Sequence, residues 1–211
     1  IGYDTRFLSR EFAQEVACVF AENGIKTYLS NSFASTPQTS YNCKLYNASI
    51  GIMITASHNP PQYNGYKLKA NYGGPASPEI VSQVEKEIPS ILAAKPEIKL
   101  QPLEFYIDNG TVELVDFKEN YLHYLQEKFD FEKIRKSHIK IVFDPMYGAG
   151  INTLGYLLPY IKEIHSYYNP SFAEIGHPEP IESLLGELRG LTSAGYDVGL
   201  ASDGDADRLG M

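Results

Sequence analysis

Two hydrophobic periods alternate along the chain. Short apolar runs at 25–29, 50–54, 66–70, 139–143, 161–168 and 197–201 read as strands. Residues 1–3 read as the tail of another strand and 4–8 as a loop, so the chain is expected to open inside a domain. Helical periods fall between these runs. Phe12, Val16 and Phe20 repeat at i, i+4, i+8 in a helix over roughly 10–22, with Ser9 as its N-cap and Gly24 as its stop. A second helix is expected near 39–46, after a polar loop at 30–37. Ser77 and Pro78 open a third, with Ile80, Val81, Val84 and Ile88 on one face and Pro89 at its end. Asp116 and Glu119 have capping-box spacing for a helix to about residue 129. Further helices are expected after the turn at 144–150, to about 158, and at 181–193.

Strands alternating with helices predict layered α/β architecture. Residues 94–112 lack a helical period and are broken by Pro96, Pro102 and Gly110, which places the inter-domain connection there. The expected division is 1–105 and 106–211. Both parts open with strand, Asp, loop, helix and strand (1–29 and 139–168), and both later present a polar loop after an apolar strand. The expectation is two related α/β/α domains.

Composition narrows the function. A hydrophobic fraction of 43% supports a packed core. A net charge of −8 and a pI near 5.1, without a Lys/Arg tract, argue against nucleic-acid binding, which needs clustered cations. No apolar run has membrane length. Cys18 and Cys43 form no metal or redox motif, and Cys18 sits in an apolar helical pattern. A reducing cytoplasm is the expected compartment.

Two loops carry candidate chemistry. The run ending at Ile54 stops in Thr55-Ala56-Ser57-His58-Asn59-Pro60-Pro61. Ser, Asn and Pro are ordinary turn residues, so the stretch alone reads as a turn. Its place beyond a strand's carboxyl end is also where ligands bind in α/β sheets. A serine there needs a base or a metal for activation, and no Gly-x-Ser-x-Gly elbow supports a hydrolase triad. The second loop is Asp203-Gly204-Asp205-Ala206-Asp207-Arg208. Three carboxylates converging from alternate residues repel one another unless a cation joins them, and hard oxygen ligands suit Mg²⁺ or Ca²⁺. Arg208 stands where a calcium helix-loop-helix site requires glycine, and a solvated acidic turn is the simpler alternative. Arg6, Lys67 and Arg208 are candidate cations for an adjacent phosphate. Asp4 and Asp144 read as loop braces, and His123, His138, His165 and His177 as surface or core histidines.

Taken together, these residues resemble the α-D-phosphohexomutase superfamily of phosphoglucomutases and phosphomannomutases. The 55–60 segment is similar to that family's phosphoserine loop and 203–208 to its magnesium loop. Gly2-Tyr3-Asp4-Thr5-Arg6, Asn64-Gly65-Tyr66-Lys67 and Pro178-Glu179-Pro180 match further family segments, in the same order. The resemblance implies that Ser57 is carried as phosphoserine. It implies Mg²⁺ held by Asp203, Asp205, Asp207 and a phosphate oxygen on Ser57, with Arg6, His58, Lys67 and Arg208 around it. The implied substrate is a hexose phosphate, isomerised between C1 and C6 through a hexose 1,6-bisphosphate intermediate, with His58 or Lys67 handling the sugar hydroxyl proton.

The family's third and fourth domains carry Gly-Glu-x-Ser-Gly and Arg-x-Ser-Gly-Thr patterns, and neither occurs here. The chain is therefore expected to be a fragment, with an incomplete first domain and most of a second, inactive as a mutase by itself. Phosphoglucosamine mutase is an alternative within the family. Its loops usually read Ser-Ala-Ser-His-Asn-Pro and Asp-Gly-Asp-Gly-Asp, so Thr55 and Ala206 favour glucose or mannose phosphates. Alternatives of a different class are a non-catalytic metal-binding α/β module and a structural calcium loop.

Overall fold

β1 (Gly2–Tyr3) leads into α1 (Ser9–Glu22) in the computed structural model, which describes residues 1–211. Ser9 is the first helical residue rather than the expected cap. Leu8 holds the cap position in a left-handed conformation, and Ser9 Oγ donates instead to Asp4 Oδ1 at 2.8 Å. The inward face is also shifted. Ala13, Ala17, Cys18 and Ala21 are buried while Phe12 is exposed, because small side chains let the helix approach the sheet.

β2 (Thr27–Ser30) is followed by α2 (Thr36–Leu45). This helix starts before its expected position because Ser35 and Gln38 form a capping box, with Pro37 in the first turn. β3 (Ile50–Ile54) and β4 (Tyr66–Ala70) match expectation. α3 (Pro78–Ala94), capped by Ser77, continues through Pro89. None of its residues is buried, so the carbonyl that Pro89 leaves unpaired faces water. α4 (Leu103–Asp108) and β5 (Val112–Val115) occupy the stretch read as a connection.

β3 lies parallel to β1 and antiparallel to β4, while β2 lies parallel to β5. The Ile1 amine donates to Tyr28 O (2.6 Å) and Ser30 N to Ile1 O (2.9 Å), which joins the two sets in the order β5-β2-β1-β3-β4. The expected division at 105/106 falls inside α4, and β5 beyond it belongs to the first unit's sheet. Parallel pairing between strands so far apart in sequence is a tertiary outcome, invisible in local pattern.

The second unit comprises α5 (Phe117–Lys128), α6 (Phe131–Lys136), β6 (Ile141–Asp144), α7 (Leu154–Leu157), β7 (Lys162–Glu163), α8 (Gly186–Ser193), β8 (Val198–Ser202) and β9 (Leu209–Gly210). Its sheet runs β7-β6-β8-β9, parallel except for β9. The long strand expected at 161–168 contracts to β7, and the helix expected from 181 begins at Gly186 after a 3₁₀ turn, Glu182–Leu184. α6, not foreseen, is capped by Asp130 accepting from Lys133 N. Both units are layered α/β structures, each with its own buried cluster: Tyr3, Leu29, Ile52 and Ile54 in the first; Val142, Met146, Phe172 and Ala201 in the second. The carboxyl ends of β3 and β8 meet where the units touch.

Candidate active site

Beyond Ile54 the chain is held from beneath. Thr55 Oγ1 donates to Asp4 Oδ2 (2.6 Å) and accepts Ser57 N (2.8 Å). Asp4 also accepts Arg6 N and Ser9 Oγ, and burial pushes its carboxyl up, to about 6, against those bonds. Ser57 itself adopts a left-handed conformation, φ 55°, uncommon for a residue with a Cβ.

The Arg6 guanidinium organises the turn. Nη2 donates to Ser57 O (2.7 Å) and Asn59 O (2.6 Å), and Nη1 to Pro60 O (2.8 Å) and Tyr63 O (3.2 Å). Nε lies 3.2 Å from Asp4 Oδ2 but is not aligned for a hydrogen bond. Arg6 is fully buried under the loop. Its terminal donors are spent on carbonyls of the loop, that of Ser57 among them, so Arg6 lies against the serine turn from beneath.

The second loop meets the first at Ser57. Ser57 Oγ donates to Asp203 Oδ2 at 2.8 Å, and Asp203 Oδ1 accepts the amides of Asp207 and Arg208. Asp203 and Asp205 are fully buried and Asp207 is exposed; one oxygen from each lies within 4.8 Å of the others. Burial, then the charge of Asp205, pushes the Asp203 carboxyl up to about 6. Burial also acts on Asp205, but Lys67 and Thr36 outweigh it and hold that carboxyl below its ordinary value. Lys67 Nζ lies 2.8 Å from Asp205 Oδ2 and 3.6 Å from Asp207 Oδ2.

Asp205 Oδ1 is buried with no hydrogen-bond partner. A buried carboxylate oxygen left unpaired is costly, and a cation placed among the three carboxylates would satisfy it. The donor set is all oxygen, which fits a hard divalent ion.

Arg208 Nη1 lies 2.6 Å from His58 Nδ1. A guanidinium only donates, so His58 Nδ1 accepts and its proton sits on Nε2. Nε2 faces Glu179 Oε1 at 4.0 Å, while Glu179 Oε2 lies 3.5 Å from His177 Nε2. Ser57, His58, Lys67, Asp203, Asp205, Asp207 and Arg208 are thus brought together.

Residues outside that set also enter. Thr36 Oγ1 donates to Asp205 Oδ2, and the Ser35–Gln38 capping spacing was its only sequence signal. Glu179 approaches His58 from the Pro178-Glu179-Pro180 segment, with His177 against its other carboxylate oxygen. The turn at 144–150 backs the acidic loop. Ala149 N donates to Gly204 O, Thr5 Oγ1 to Tyr147 O, and Asp144 bonds Met146 N and His165 Nδ1 (2.9 Å), so Asp144 braces the turn as expected.

Residues 1–95 match the family description "Phosphoglucomutase/phosphomannomutase, alpha/beta/alpha domain I", and residues 119–211 match the corresponding domain II. Over its whole length the chain is 30% identical to a phosphoglucomutase of Staphylococcus saprophyticus and 31% identical to one of Staphylococcus aureus, covering 40% and 39% of those proteins. It thus spans about 40% of the length of the curated relatives it matches. A crystal structure described as a putative phosphomannomutase of Thermus thermophilus superposes with a TM-score of 0.83 at 32% identity, over 99% of this chain and 46% of that one. A Paramecium parafusin (phosphoglucomutase) structure shares the fold, with a TM-score of 0.77 at 23% identity, over 99% of this chain and 44% of that one.

Proposed function

This chain belongs to the phosphoglucomutase/phosphomannomutase family, and on that premise we propose that it forms the phosphoryl-carrying half of a hexose-phosphate mutase. Ser57 is the carrier. The observation that supports this best is the 2.8 Å bond from Ser57 Oγ to Asp203 Oδ2, which joins the serine loop to an acidic triad holding one orphaned carboxylate oxygen.

Asp203, Asp205 and Asp207 would hold Mg²⁺, whose chemistry is to neutralise phosphoryl charge. In the transfer, a hydroxyl oxygen of the hexose phosphate bonds to phosphorus as the bond to Ser57 Oγ breaks, giving a hexose 1,6-bisphosphate. The reverse step from the sugar's other phosphate restores phosphoserine. Phosphoryl transfer depends mainly on positioning and charge, and the chain's own residues supply both. Arg6 fixes the turn, and Asp203 orients Oγ. Lys67 is a positive charge held by two carboxylates beside the serine. His58, oriented by Arg208 and Glu179, or Lys67 is proposed to manage the sugar hydroxyl proton.

Glucose and mannose phosphates are the proposed substrates. The 211 residues contain neither the Gly-Glu-x-Ser-Gly nor the Arg-x-Ser-Gly-Thr pattern, so this chain alone is proposed to accept phosphate without completing a cycle. No helix is long and apolar enough to cross a membrane, and both cysteines are free and buried; a reducing cytoplasm is the compartment we propose.

Intact mass after incubation with glucose 1,6-bisphosphate and Mg²⁺ tests the proposal. A single phosphate adduct that disappears in Ser57→Ala supports it. Absence of the adduct both in this chain and in a longer chain containing it would sink it.

A further inference from the structure

We propose that Phe172 is a positioning residue for the serine loop, holding the Arg6 guanidinium against the carbonyls that shape the turn at Ser57. The inference rests on the reading of Ser57 as the phosphoryl carrier, although its geometry stands independently.

The guanidinium is planar, and its four terminal hydrogen bonds, to the carbonyls of Ser57, Asn59, Pro60 and Tyr63, fix it within that plane. In-plane bonds resist sideways motion far better than displacement along the normal. The Arg6 cation lies over the Phe172 ring, Cζ 4.9 Å from its centroid, which we assign as the contact opposing displacement out of that plane. The ring face is the negative end of the aromatic quadrupole, so the contact is attractive as well as steric, more so where both groups are excluded from water. Arg6 and Phe172 are both fully buried.

Phe172 comes from the other unit. It packs in the second core with Met146, Tyr147 and Ile175. It lies in the long connection between β7 and α8, and its backbone is left-handed (φ 56°), as is that of Ala173 (φ 39°). Consecutive left-handed residues with Cβ atoms persist only where surrounding contacts over-determine them. Here they aim an aromatic ring out of one core and onto the cation beneath the other unit's nucleophile. Phe172 thereby links the second unit to the Ser57 backbone through Arg6, alongside the direct Ser57–Asp203 bond.

A core residue with no such role would tolerate Leu, which keeps apolar volume and discards the ring face. The test uses the 211-residue chain as wild type, Phe172→Leu, Arg6→Lys and the double variant. Amide exchange at residues 57–63 is measured, with Ser57 phosphorylation by glucose 1,6-bisphosphate and Mg²⁺ read by intact mass. Phe172→Leu is expected to speed loop exchange by about 5- to 30-fold. It should slow the saturated phosphorylation rate to a similar degree, with the half-saturating bisphosphate concentration and the exchange of β6 and β8 amides within about twofold. The double variant should be no worse than Arg6→Lys, because Phe172 acts through that guanidinium.

Unchanged loop exchange in Phe172→Leu, or its full effect added on top of Arg6→Lys, overturns the proposal. If Phe172→Leu loses its fold by circular dichroism, Phe172→Met is judged by the same criteria. Wild type that takes up no phosphate counts against the mutase reading alone, and the exchange results still decide the role of Phe172.

Discussion

Thr36 and Asp205, one from each unit, are bonded twice. Thr36 N donates to Asp205 O at 2.8 Å, and Thr36 Oγ1 donates to Asp205 Oδ2 at 2.6 Å. Thr36 is the first residue of α2, so the helix's amino end, with its partial positive charge, faces the acidic loop. The hydroxyl helps offset the burial of a carboxylate that is already tied to Lys67. Thr36→Val keeps the shape and removes that donor. It should destabilise the metal-free chain by about 1–3 kcal/mol, since the lost bond is to a buried charged acceptor. Urea unfolding checks this; an unchanged midpoint would mean the hydroxyl contributes nothing.

Asp207 separates metal binding from folding. It is the most exposed of the three carboxylates, and its side chain is tied to the fold only through ion-pair contacts, to Lys67 at 3.6 Å and Arg208 at 4.0 Å. Wild type should gain about 2.7 kcal/mol when free Mg²⁺ exceeds its dissociation constant a hundredfold. That is a shift of several degrees for a chain of this size. Asp207→Asn should melt within about 0.5 kcal/mol of wild type in EDTA and lose most of the Mg²⁺-dependent gain. A full gain retained by the variant would argue against three-carboxylate ligation.

His165, on the turn that backs the acidic loop, gives a pH signature of its own. The hydrogen bond to Asp144 raises its pKa; burial opposes this, and the charges of Asp144, Glu187 and Glu174 add to the rise. Nδ1 lies 2.9 Å from Asp144 Oδ2, Nε2 lies 3.3 Å from Glu187 Oε2, and the ring packs 5.0 Å from that of Tyr147. A folded-state pKa raised above the unfolded value, about 6.5, means that protonation favours the folded state. The contribution is complete below the unfolded pKa and is lost as pH rises through the folded one. The stability gap between wild type and His165→Gln should therefore be widest at about pH 5.5 and narrow toward about pH 8.5. Denaturant midpoints across that range decide it, and a gap that widens with pH reverses the assignment.

What the sequence disclosed divides along the local and the tertiary. The serine and acidic loops were legible because each places its chemistry within a few consecutive residues after an apolar strand. α2 was legible in its capping residues, Ser35 and Gln38, but a polar loop was the easier reading of 30–37. β5 was not legible, because Val112–Val115 becomes a strand by pairing with Thr27–Ser30. Arg6 was recognised as part of the site, but its burial beneath the turn was not legible. That a cation lies under a turn depends on four carbonyls converging on it, which spacing along the chain does not encode. Phe172 carried no signal at all, since an aromatic in a loop is as easily surface as core.

Gly204 marks how closely the two loops approach. A Cβ built on it would lie 2.4 Å from Ser57 O and 2.8 Å from Pro178 Cγ, both well inside van der Waals contact. The first is backbone and the second a ring, so neither side yields by a simple rotamer change. Gly204 O meanwhile accepts Ala149 N, and a Cβ on Gly148 would lie 2.8 Å from Gly204 Cα, so the loop has no room to retreat on that side. In Gly204→Ala the serine turn must move away from the acidic loop, stretching the Ser57–Asp203 hydrogen bond. Overpacking of this kind costs about 1–3 kcal/mol. The variant should therefore unfold at lower urea and take up phosphate at Ser57 at least about tenfold more slowly than wild type, in line with the rate penalty of a small misplacement of reacting groups. Because all three carboxylates remain, its Mg²⁺-dependent melting gain should survive in large part. Loss of that gain together with the phosphorylation rate would place the damage in the metal loop rather than in the approach of Ser57 to it.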